Sequence, residues 1–207
     1  MGCLRFDLFF MIGLPEQTTD SVRGTIDYCD RLLGSLLPEH VKSLHPFISP
    51  LAPFLDPGSE AFENPEQLGY RVLFRSLEDH RRAQLSPSWK YVLNYETEWM
   101  TRDEIVDSTY DAALALNRLK AKYNLVQPRV SDQIERRILI EREIMCGIDT
   151  ILASTPEDQQ TSQIEILMRK FDPVGPYTLC DEDEMRWPAR FLRFNPLRVI
   201  RGILSRR

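Results

Sequence analysis

Apolar residues are spaced in two ways along this chain. Residues 6–12, Phe-Asp-Leu-Phe-Phe-Met-Ile, are apolar apart from one acid, the pattern of a strand covered on both faces. Gly13 permits a sharp turn and Pro15 stops the strand from continuing. Val22, Ile26, Cys29 and Leu33 then recur at helical spacing, with Thr19 or Asp20 placed to cap the helix and Gly34 to stop it. The stretch "VKSLHPFISPLAP" (41–53) reads as a second extended segment. Its prolines, Pro46, Pro50 and Pro53, exclude helix and argue against a regular central strand beyond Leu44. Strand, helix, strand is the unit from which parallel sheets are built.

Behind this unit the spacing becomes helical. Asp56-Pro57-Gly58-Ser59 is a turn signal. From Tyr70 the chain is expected to be mostly helical, with Val72, Leu73, Leu77 and Leu85 forming a broken stripe before Pro87. "SPSWKYVLNYETEW" (86–99) is aromatic and fits either a short strand or an irregular segment on the core. Thr101 and Glu104 form a capping box, followed by Ile105, Ala112, Leu116, Leu119 and Tyr123 on one helical face. A further helix is expected after Pro128, from Asp132, carrying Ile134, Ile138, Met145, Ile148 and Leu152. Another should follow Thr155-Pro156, with the proline at its first position. The predicted fold class is therefore an α/β front half followed by a mainly α-helical C-terminal region. The expected divisions are 1–70 for the α/β part, 71–180 for the helices and 181–207 for an acidic, then Arg-rich tail.

Composition sets limits. With 207 residues, 43% hydrophobic and 28% charged, the chain can bury a core, and a net charge of −5 gives no reason to expect nucleic acid. No apolar run approaches the roughly 20 residues that span a bilayer. The first residues form no signal peptide, and Phe6 stands where a myristoylation site needs Ser or Thr. The expected compartment is the cytoplasm. Cys3, Cys29, Cys146 and Cys180 lie too far apart for a zinc site or a compact disulfide scaffold, and His40, His45 and His80 read as structural or surface residues. Glu96 and Glu98 would share a face of an extended segment but read as solvated charge. Trp89, Tyr91, Tyr95 and Trp99 could shape a pocket, although a role in the core is the commoner use of such residues. Residues 186–207 hold seven arginines and no acid, which fits weak contact with an anionic membrane surface or an acidic partner.

Helices that follow parallel strands aim their N-termini at the strands' carboxyl ends, where α/β proteins bind ligands. That is where Gly13 to Thr18 lie. "DLFFMIGLPEQTTDSV" resembles the fifth-strand segment of radical S-adenosylmethionine (radical SAM) enzymes. It also partly matches their adenine-contacting pattern G-x-I-x-G-x-x-E: Gly13 and Glu16 agree, while Phe9 and Met11 replace the first Gly and the Ile. The continuation to Tyr70 resembles the sixth strand and exit loop of the cobalamin-binding group, and residues 85–123 resemble the helical extension beyond that barrel. The likeness covers residues 6–125. It implies an adenine- and substrate-side contribution from Phe9, Met11, Gly13 and Glu16, with Gln17 nearby and Leu51 or Pro53 at the next strand end. The cofactors implied are S-adenosylmethionine, a four-iron, four-sulfur cluster and, for that group, cobalamin. The cluster-binding loop C-x3-C-x2-C is absent from the sequence. The chain thus resembles the C-terminal part of such an enzyme, a partial barrel inactive by itself, whose partner would be the N-terminal barrel half, fused or in trans. The alternative is a non-catalytic helical interaction module with a docking tail.

Overall fold

A computed structural model describes residues 5–50 and 55–171. Strand β1 (Phe6–Ile12) pairs in parallel with β2 (Leu44–Pro50), Phe6 opposite Leu44 and Ile12 opposite Pro50. The crossover contains helix α1 (Thr19–Ser35) and the single turn α2 (Pro38–Val41). The cap of α1 is Thr18, so Thr19 and Asp20 lie inside the first turn. The Thr18 hydroxyl accepts from Ser21 N, and the Ser21 hydroxyl accepts from Thr18 N at 2.9 Å. Gly34 does not stop the helix, which continues to Ser35 and caps at Leu36.

β2 persists through Pro46 to Pro50, against the expectation from its prolines, and backbone direction explains why. Phe6 N donates to Ser43 O at 2.6 Å, so the odd-numbered residues of β2 turn their backbone groups toward β1. Leu44, Pro46, Ile48 and Pro50 turn theirs away, and no ladder bond is lost to a missing N–H.

β1 is covered on one face only, which corrects its reading as covered on both; across from it on β2, Phe47 is buried on that other face. Leu8 and Leu44 pack with Leu33 and Val41; Ile12 and Ile48 join the main core, and Phe10 meets Tyr28 of α1 edge to face. On the opposite face lie Asp7, Phe9, Met11, His45 and Phe47. Phe9 is 64% and Met11 43% exposed.

After β2 come α3 (Glu60–Glu63) and a 3-10 helix (Pro65–Leu68) ending at Gly69, whose φ of 69° is left-handed. The expected helix at Tyr70 is instead a strand. β3 (Tyr70–Val72) pairs antiparallel with β4 (Tyr95–Thr97), reached through α4 (Leu77–Gln84) and the 3-10 helix Trp89–Tyr91. Leu77 and Leu85 are 87% and 73% exposed, so the stripe predicted through them is no core face.

Three helices complete the chain: α5 (Arg102–Lys122), α6 (Pro128–Ser154) and α7 (Glu157–Lys170). The Thr101–Glu104 capping box is present. α6 starts at Pro128 rather than Asp132, since proline suits a first turn whose N–H would be unpaired anyway. Pro156 caps α7 rather than beginning it. α5 packs on α1, β2 and α6, and α7 packs on α6. A single buried cluster runs from Ile12, Val22 and Cys29 through Leu93, Tyr95 and Tyr110 to Ile134, Ile138 and Met145. The architecture is mixed α/β, with two small sheets in front and helices behind. Among the described residues, no helix is long and apolar enough to cross a membrane.

Candidate functional site

The turn leaving β1 is the first place to look for chemistry. Gly13 has φ 89°, and a β-carbon there would lie 2.6 Å from the Tyr95 hydroxyl, so only glycine fits. Glu16 also sits in the left-handed region, at φ 60°. Gln17 holds the loop in shape: its Oε1 accepts from Gly13 N at 2.8 Å and Leu14 N at 3.3 Å, and its Nε2 donates to Met11 O at 3.0 Å. Backbone groups that a ligand could have used are thus satisfied from within the loop.

The candidate residues sit at this end of β1 in different settings. Phe9 stacks on Phe47, with ring centroids 5.2 Å apart. Met11 shares that open face, Gly13 is buried against Tyr95, and Glu16 is exposed. Asp7, Phe9 and Met11 point their backbone groups away from β2, to an edge with no partner strand among the described residues. Leu51 and Pro53 lie outside the described residues, as do the acidic segment and the Arg-rich tail.

Charge on the open face is modest. Arg5 Nε donates to Asp7 Oδ1 at 2.7 Å. His45, opposite Asp7, is held below its ordinary pKa chiefly by burial and then by the Arg5 charge. The Lys120 ammonium lies 4.4 Å from the centre of the Phe47 ring.

The other sequence candidates are absorbed by the fold. Glu96 pairs with Arg71 and accepts from Arg102 N at 3.0 Å, securing the start of α5. Glu98 falls beyond the end of β4 and is exposed. Tyr95 is fully buried and meets Tyr70 edge to face. Cys29 is buried, which pushes its thiol up to about 11, and Cys146 is exposed. No group of His, Cys, Asp and Glu among the described residues could hold a metal ion.

Two features escaped the sequence reading. Lys90, almost buried, reaches Asp149 at 2.6 Å and Asp103 at 2.9 Å, while the Tyr91 hydroxyl donates to Asp149 at 2.7 Å. This group ties the segment before β4 to α5 and α6. The second is Glu141 on α6, which lines a cleft together with Trp89 and Tyr110. No protein-family model, curated protein or solved structure matches the chain.

Proposed function

We propose that this chain is the C-terminal portion of a radical SAM-type enzyme, with β1 and β2 as adjoining strands of a β/α barrel. One observation carries the reading: a parallel strand pair, backed by helices on one side, leaves Phe9 and Met11 of β1 exposed on the other and the edge of β1 without a partner strand among the described residues. In a β/α barrel that face would look inward, and Phe9 and Met11 would meet side chains from other strands. The open edge of β1 would take the preceding strand. The partner on this reading is the N-terminal half of the barrel, fused or in trans.

The cofactors fit unequally. The described residues offer no thiolate set for an iron–sulfur cluster, so no step of S-adenosylmethionine cleavage is derived from them. For the adenine side, Gly13 N and Met11 O are engaged by Gln17. What the chain can still offer there is the Glu16 carboxylate beside the turn. S-adenosylmethionine, when bound, would supply the radical chemistry, and this chain would shape one wall of its site.

The test is the native polypeptide. Its mass in the cells that make it should exceed 24.2 kDa, with a C-x3-C-x2-C loop in the additional sequence, or the chain should co-purify with a protein carrying that loop. A native species of 24.2 kDa with neither companion would overturn the proposal. It would leave the interaction-module reading.

A further inference from the structure

A second site lies on the helical side and does not depend on the barrel reading. A cleft of about 150 Å³ opens between the Trp89–Tyr91 turn, α5, α6 and α7. Its walls are apolar, with Trp89, Ile144, Met145 and Met168, and the polar groups Tyr110 and Glu141 break them. Trp89 Nε1 donates to the Tyr110 hydroxyl at 3.0 Å, which fixes the two rings with centroids 6.0 Å apart.

Glu141 is out of place in the helix pattern. The inward positions of α6 run Ile134, Ile138, Glu141, Met145, Ile148 and Leu152, in steps of four and three residues. That is the spacing of a buried apolar seam, and one member is an acid. Its Oε1 is buried without a hydrogen-bond partner. The same is true of Nε of Arg137, one turn earlier, and no ion pair joins the two. Burial pushes the Glu141 carboxyl above its ordinary value, with the Arg137 charge pulling partly back. An acid held this way leaves its charged form short of partners.

We propose that this cleft binds a small organic cation, a primary ammonium carried on an apolar body about the size of one ring. Size, lining and charge agree on that class. An apolar cavity of about 150 Å³ accommodates a benzene ring. The faces of Trp and Tyr attract cations, and a carboxylate hydrogen-bonded to an ammonium makes a charge-assisted contact stronger than a neutral one. An anion would meet Glu141 with like charge, and a plain hydrocarbon would leave the carboxyl unsatisfied.

The experiment titrates the full chain calorimetrically with benzylamine, benzyl alcohol and benzoate at neutral pH. Benzylamine is expected to bind about tenfold or more tightly than benzyl alcohol, with benzoate weakest. Glu141→Gln should remove that preference while keeping the side-chain shape. Contacts from the ring protons to the Met145 and Met168 methyl groups, read by NMR, would locate the ligand. Equal affinity for amine and alcohol, or an amine preference that survives in E141Q, would overturn the proposal. So would no binding of benzylamine at all. The comparison of the three ligands uses the unaltered chain and stands even if the variant fails to fold.

Discussion

The two halves of the molecule treat their apolar surface in opposite ways. Around α5 and α6 the apolar residues are closed in: Ile105, Ile138 and Ile148 are fully buried, and partners from α1, β4 and β2 complete the seam. Across β1 and β2 the face toward α1 and α5 is closed, while on the other Phe47 of β2 is buried and Phe9 and Met11 of β1 stand in solvent. The strand pair is as regular as the helices, with seven paired residues in register. Local order and completed burial are therefore separable. Parallel strands ordinarily lie covered on both faces, and an open one points to a surface meant for contact.

The sharpest way to break this contrast is to cut side chains on either side of it. Ile138→Ala should lower stability by about 2–5 kcal/mol in urea unfolding, because the cavity has no way to collapse. Gly13→Ala comes next, at about 1–3 kcal/mol, since the alanine would need a left-handed φ and would press on Tyr95. A smaller effect appears with pH. Burial first, then the bond to Asp149, pushes the Tyr91 hydroxyl from 10.0 up to about 12. A raised folded-state value favours the folded chain below pH 10, and that contribution is lost as pH climbs from 10 toward 12. Stability should therefore fall over this range, and less steeply in Tyr91→Phe, as pH-dependent thermal melts would show. Smallest of all, Phe9→Ser should change stability by less than about 0.5 kcal/mol, yet reduce self-association in sedimentation runs at high concentration. A loss of stability comparable to that of Ile138→Ala would mean that Phe9 is covered in solution and that the halves do not differ.

How much of this could be read beforehand varied with the range of the interaction. The Thr101–Glu104 box and the seam of α6 are written within a few residues, and both are legible in the sequence. The β1–β2 unit was legible as well, because apolar runs and a helical spacing sit side by side. β3 was not: three residues at Tyr70 become a strand only through β4, some two dozen positions later, and nothing local announces that pairing. In the loop after β1 the sequence marks Gly13 and Glu16 with Gln17 beside them, and it is Gln17 that makes the bonds shaping the loop. The carboxamide can both donate and accept, which the Glu16 carboxylate cannot. Glu141 leaves a trace in the sequence, an acid standing at a position the seam reserves for an apolar residue. The Lys90 cluster left none, since its members are up to 59 positions apart.

Pro46, noted above for sparing the ladder with β1, has a second consequence. It removes a donor from the side of β2 that faces away from β1, so an incoming strand there would find a gap in its hydrogen bonding. The far side of β1, through Asp7 and Phe9, has no such gap. The sheet thus has a favoured direction of growth: whatever extends it, a further segment or a neighbouring copy, meets an unbroken row of partners at β1 and an interrupted one at β2.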